Sequence, residues 1–104
     1  MTTKDQRISL QTKLEEILGS ENVYFQPPSN IKMHYPCIVY TRSTGYSRFA
    51  DNGSWIFRSR YQIQLISKDP DNPAFDELAK LPYSSYDRHY VVDNLNHDVF
   101  NIYW

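Results

Sequence analysis

The chain has one cysteine, three glycines and no apolar run approaching the ~18 residues a membrane-spanning helix needs. A single cysteine excludes an internal disulfide, and no Cys/His spacing fits a structural zinc site. A reducing compartment, by default the cytoplasm, is therefore expected. The glycines, at 19, 45 and 53, supply no glycine-rich phosphate loop, and no G-x-S-x-G elbow occurs. An excess of one charge is missing too. Eleven basic and twelve acidic residues give a net charge of −1, so no overall positive field draws in nucleic acid or an anionic membrane. The opening residues are polar and charged with no apolar h-region, so export is not expected. What the chain has in quantity is aromatics: nine tyrosines, five phenylalanines and two tryptophans among 104 residues, with 40% hydrophobic and 22% charged residues overall. This is the composition of one small globular domain over 1–104.

Leu10, Leu14, Ile17 and Leu18 recur at i, i+4, i+7 and i+8, one stripe of an amphipathic helix over 3–18. Lys4, Arg7, Lys13, Glu15 and Glu16 take its wet face, and Gly19 is placed to end it. Val23-Tyr24-Phe25 is a short apolar run closed by Pro27-Pro28, which allows at most a short edge strand. The surrounding Glu21–Gln26 string resembles an engineered protease-cleavage linker. With a native-looking helix before it and Pro27 after it, it reads as part of the protein.

Pro36-Cys37-Ile38-Val39-Tyr40 is apolar almost throughout, the mark of a strand covered on both faces. The segment 41–53 is polar and ends in the turn signal Asp51-Asn52-Gly53. Then Trp55, Phe57, Tyr61, Ile63 and Leu65 alternate with Ile56, Arg58, Arg60, Gln62 and Gln64. That period-2 run over 54–67 would span roughly 45 Å at ~3.3 Å per residue, far beyond an ordinary strand. A hairpin with its 45–53 tip projecting from the body is the expectation. Asn72 and Pro73 suit the N-cap and first position of a second helix, with Phe75, Leu78 and Ala79 on one face and Pro82 after it. Strands over 86–92 and 99–104, joined by a turn at 93–96, complete the chain. The predicted fold is a two-layer α+β domain: an antiparallel four-stranded sheet with two helices on one face, in the order α-β-β-α-β-β, with a long protruding hairpin.

Three chemistries deserve weighing. His34, His89 and His97 with Asp87, Asp93 and Asp98 invite a metal or acid–base site, and an enzyme would be built around Asp87, His89 and His97. Their spacing matches no ligand motif, and Asp and Asn are ordinary turn residues, so no metal and no catalytic residue is assigned. Cys37, inside an apolar run with no basic neighbour, reads as a small buried hydrophobe and not as a nucleophile. Arg42, Arg48, Arg58 and Arg60 beside Tyr46, Phe49 and Trp55 suit a protein interface. A single-strand nucleic-acid surface using the Arg58/Arg60 face is the alternative.

The opening helix ending at Leu18-Gly19, Val23-Tyr24 followed by prolines, Tyr35-Pro36-Cys37-Ile38-Val39-Tyr40, Arg60-Tyr61-Gln62-Ile63-Gln64-Leu65-Ile66, the short helix and the closing aromatic hairpin together resemble tail-terminator or tail-completion proteins of long-tailed bacteriophages. The likeness runs over almost the whole chain. It implies a virion structural protein without cofactor or catalytic activity. Such a protein forms a homohexameric ring on the tail tube protein at the head-proximal end and meets the head–tail connector protein. The genome passes through the ring, no membrane is involved, and assembly takes place in the host cytoplasm. Carried onto this sequence, the resemblance places subunit or partner contacts at Arg42, Tyr46, Arg48, Phe49, Trp55, Arg58, Arg60, Tyr86 and Arg88. A head–tail connector or adaptor component is the neighbouring alternative.

Overall fold

In the computed structural model the described residues are 2–51 and 54–104, with side chains described outside 44–57. The chain runs α1 (Thr3–Leu18), β1 (Val23–Phe25), β2 (Cys37–Asp51), β3 (Ser54–Ser67), α2 (Ala74–Ala79), β4 (Ser84–Val92) and β5 (Leu95–Tyr103). The α+β class is as expected. The sheet is not: it has five strands in the order β1-β2-β3-β5-β4 and is mixed, because β1 lies parallel to β2.

The fifth strand is the short edge strand allowed at 23–25, left out of the expected four-stranded sheet because it is three residues long and its partner lies across the 26–36 connection. Val23, Tyr24 and Phe25 register with Ile38, Val39 and Tyr40. The Gln26 N–H donates to the Tyr40 carbonyl at 2.9 Å, and the Gln26 side-chain oxygen accepts from the Arg42 N–H at 3.1 Å. The side chain thus supplies the acceptor for the next N–H of β2 beyond the last backbone pair. Val23 is buried in the core, so the linker-like string is an integral part of the sheet.

Helix α1 spans the predicted residues. Its first turn is closed by a capping box: the Thr2 hydroxyl accepts from the Asp5 N–H at 3.1 Å and the Asp5 carboxylate accepts from the Thr2 N–H at 3.2 Å. Those bonds hold the Asp5 carboxyl below its ordinary pKa, the backbone donor contributing most. Gly19 takes φ +77°, a left-handed conformation that costs an L side chain about 1–2 kcal/mol, and its N–H reaches the Glu15 carbonyl at 2.9 Å. Leu10 and Leu14 are fully buried, with Ile17 and Leu18 packed beside them. Arg7 departs from the wet-face expectation, since its guanidinium lies 4.6 Å from the centre of the Phe25 ring.

Both helices cover one face of the sheet. Beneath them Tyr40, Tyr61, Ile63, Leu65, Phe100 and Ile102 form the core with Leu10, Leu14 and Leu78. Gln11 links the layers, donating to the Val23 carbonyl at 3.1 Å and accepting from the Tyr40 hydroxyl. On the opposite face stand the alternate residues Gln62, Gln64 and Ile66 of β3 and His97, Val99 and Asn101 of β5.

β2 runs well past the 36–44 segment expected to form it, and 45–51, expected as part of the hairpin's tip, continues the strand. It pairs with β3 out to Asp51↔Ser54, across a bulge between Arg42 and Tyr46. Residues 60–67 of β3 also pair with β5, whereas 54–59 have β2 as their only strand partner among the described residues. The hairpin therefore leaves the body as a two-stranded arm, and the molecule measures 47 × 25 × 24 Å. The second helix is shorter than expected at six residues, with the Asn72 side chain accepting from the Ala74 N–H at 2.9 Å. In the closing hairpin the turn is only Asp93-Asn94, with φ +52° and +62°, so β5 begins at Leu95 and not at Val99. Two adjacent residues at positive φ match the twist of the flanking strands, which is why Asp and Asn suit this turn.

Candidate functional site

Among the described residues, two of the grooves beside the helices bring polar or charged side chains together with aromatic rings. The first, about 420 Å³, is bordered by α1, α2 and the closing end of β5. Ile17 and Leu81 line it together with the rings of Tyr83, Tyr103 and Trp104, and Lys13, Arg58 and Lys80 bring three cations to it. The Arg58 guanidinium lies 5.0 Å from the centre of the Tyr83 ring, a face-on approach of the kind the ring quadrupole favours. Glu77 is the one carboxylate among the described lining residues, 3.8 Å from Lys80. The groove has largely apolar walls, two of its cations are paired, Lys13 with Glu16 at 3.9 Å and Lys80 with Glu77, and it sits where the arm joins the body.

The second groove, about 450 Å³, is polar and lies between the 70–76 segment and the β4–β5 hairpin. At its floor one Asp98 oxygen accepts from the Tyr86 hydroxyl at 3.1 Å and meets His89 Nδ1 at 2.9 Å. Asp98 is only 7% exposed, so both partners are anchored on a buried carboxylate. Partial burial, then the bond to Asp98 and its negative charge, raise the Tyr86 phenol above its ordinary pKa. The Tyr86 ring also meets Phe75 and Phe100, each with centres 5.3 Å away. No Ser, Thr, Cys or Lys is among the described residues lining this groove. What the geometry does supply is a clamp between β4 and β5. Asp98→Ala should lower stability in urea unfolding by about 1–2 kcal/mol, the value of two hydrogen bonds whose partners can rehydrate. Asp98→Asn should recover part of that loss.

The trio Asp87, His89 and His97 does not assemble. Asp87 sits at a bulge and pairs with Arg88 at 2.6 Å. His97 follows Asp98 by alternation onto the other face of the sheet, where it stacks on Tyr90 with ring centres 4.6 Å apart. Gln64 accepts from the Tyr90 hydroxyl there at 3.3 Å. Burial lowers the His97 pKa, His89 adding to this and Asp98 opposing it. No group of three metal-ligating side chains comes together among the described residues, and no helix there is long and apolar enough to cross a membrane.

The residues assigned to an interface divide into three sets. Arg42 lies against the core-side residue Tyr61, its guanidinium 5.8 Å from the ring centre, whereas Arg60 alternates with Tyr61 and registers opposite Tyr103. Arg42 and Arg60 therefore stand on different faces of the sheet, while Arg58, two residues before Arg60, lies over the Tyr83 ring. Tyr86 and Arg88 are on β4, an outer strand of the sheet, with Tyr86 tied to Asp98 and Arg88 to Asp87. Tyr46, Arg48, Phe49 and Trp55 have side chains outside the described residues, although their backbones belong to the arm.

The first groove was invisible in the sequence because three elements distant along the chain converge on it. The His89–Asp98 contact did carry a signal. A two-residue turn at Asp93-Asn94 pairs Tyr90 with His97 and His89 with Asp98 by simple counting, whereas a four-residue turn shifts every pair. No protein-family model matches the chain, and no curated protein matches its sequence.

Proposed function

We propose that this chain is the subunit of a self-assembling ring, of the tail-terminator or tail-completion type, that caps the tail tube of a long-tailed bacteriophage. It would present the surface that meets the head–tail connector. The observation that carries the reading is the arm. Residues 54–58 extend past the last backbone bond to the C-terminal segment, the Trp104 N–H to the Ser59 carbonyl at 3.0 Å, and have β2 as their only strand partner among the described residues. Such an edge attracts another chain, and a small domain is expected to cover it by assembly. On the far side of the sheet, β4 is a nine-residue outer strand whose Val91 and Val92 are exposed. In this reading the protein contributes geometry: one surface that joins like copies and another that stops tube growth. The sequence resemblance supplies the identity of the assembly, and the arm supplies a physical means of making it.

Light scattering over a concentration series should show the wild-type protein moving from monomer to one closed oligomer with no larger species. Virions made without it should carry tails of uncontrolled length. Normal tails in its absence would reject the reading.

A further inference from the structure

We propose that the stack of His97 on Tyr90 is an acid-operated latch, which fastens the outer strand β4 to β5 on the face of the sheet away from the helices. The proposal stands apart from the ring reading. It begins with where the register sends each histidine. β4 and β5 pair His89 with Asp98 and Tyr90 with His97, so neighbouring positions place one imidazole on each face of the sheet. On the helix face His89 meets a buried carboxylate at 2.9 Å. His97 has no carboxylate partner among the described residues. Its row runs Cys37, Ile66, His97 and Tyr90 across four strands, and Cys37, Ile66 and the nearby Val99 are all buried. An imidazolium there would sit beside apolar side chains, which solvate charge poorly.

The latch itself joins three strands. The two rings lie 10° from parallel with centres 4.6 Å apart, and one oxygen of Gln64 on β3 accepts from the Tyr90 hydroxyl at 3.3 Å and lies 3.5 Å from His97 Nδ1. A neutral imidazole satisfies every one of these contacts. The charges nearby do not favour a proton on the ring. Gln64 and Ile66 are uncharged, and Cys37 holds its own proton to about pH 11. On β4, Arg88 lies 5.9 Å from the centre of the Tyr90 ring and is paired with Asp87. Burial is the largest influence on His97 and lowers its pKa; of the two charged groups behind it, Asp98 opposes this and His89 adds to it. A ring that leaves the stack regains the ordinary value of 6.5, so opening takes up a proton. The latch is therefore closed above pH 6.5 and works loose as pH falls below it. His89 Nδ1 donates to Asp98 whether or not the ring carries a second proton, so the helix-face clamp stays and β4 loosens without being lost. Loosening bares part of the edge of β5 to another strand.

The test is amide hydrogen exchange of residues 88–92 at about pH 7.5 and about pH 5, corrected for the intrinsic rate, because protection reports local opening. Wild-type protection should fall at least roughly threefold on acidification. His97→Phe keeps a ring against Tyr90 but cannot take up a proton, so its protection should not change with pH. His89→Gln alters only the helix face and should retain the acid step. Equal losses in wild type and His97→Phe, no loss in wild type, or a step that vanishes in His89→Gln would each overturn the proposal. Should His97→Phe fail to fold, the titration of the His97 ring followed by NMR in the wild-type protein decides: a midpoint below 6.5 supports the latch, and one at or above 6.5 overturns it.

Discussion

Replacing Phe100 by alanine will lower the stability of the fold by about 3–5 kcal/mol. The side chain is fully buried at the middle of β5, the strand that joins the two halves of the sheet. Its ring centre lies 5.2 Å from Phe75 of α2 and 5.3 Å from Tyr86 of β4. Truncation removes the shared member of a three-ring cluster and opens a cavity whose walls belong to a helix and two strands. They cannot all close on it at once. Small domains are stable by only ~5–15 kcal/mol, so urea unfolding should show a midpoint displaced by a large fraction of the wild-type value. Phe100→Leu, which keeps most of the volume, should cost far less. If alanine and leucine cost the same, the ring cluster has been given too much weight.

Alkaline pH should weaken the fold through Cys37. The thiol is fully buried, and burial pushes its pKa from an ordinary 9.0 up to about 11. A folded-state pKa above the unfolded one means that the unfolded chain loses its proton first. The stabilisation is therefore complete below pH 9 and lost as pH rises through 9 to 11. Two pKa units correspond to on the order of 2–3 kcal/mol. Denaturant titrations under reducing conditions should show wild type losing that much relative to Cys37→Ala across this window, the alanine variant correcting for other groups that titrate there. A difference that stays flat from pH 8 to 11 would mean that the thiol is not desolvated. The same burial should make Cys37 unreactive toward iodoacetamide in the folded protein near pH 8 and reactive on unfolding.

The helices and the buried faces of the strands were legible because each carries a repeating apolar pattern. Leu10, Leu14, Ile17 and Leu18 gave α1 to the residue, and Tyr61, Ile63 and Leu65 gave the core face of β3. What failed was information held in neither period. β1 is too short to show one, and its parallel partner is set by tertiary packing. The run 45–51 reads as a hairpin tip, yet its backbone pairs with β3 from Tyr46 to Asp51, since a two-stranded arm asks little of side-chain polarity. Asp93-Asn94 was seen as a turn, but its length was overestimated by two residues, which hid the meeting of His89 with Asp98. The groove beside α1 and α2 depends on Lys13, Arg58 and Tyr83, which are separated in sequence and lie on three different parts of the fold. No local pattern could bring those together.

The order β1-β2-β3-β5-β4 has a consequence for how the protein is made. Of the five strands, β5 leaves the ribosome last, yet it occupies an interior place in the sheet, with β3 on one side and β4 on the other. Until it arrives, Tyr61, Ile63 and Leu65 lack their neighbours Phe100 and Ile102. The nascent chain can then hold only α1 and the β1–β2–β3 portion. Native structure must therefore be completed after translation of β5, by long-range pairing that is intrinsically slow. Copies meeting too early would offer one another the vacant flank of β3, so timely release and folding govern the yield of usable subunits.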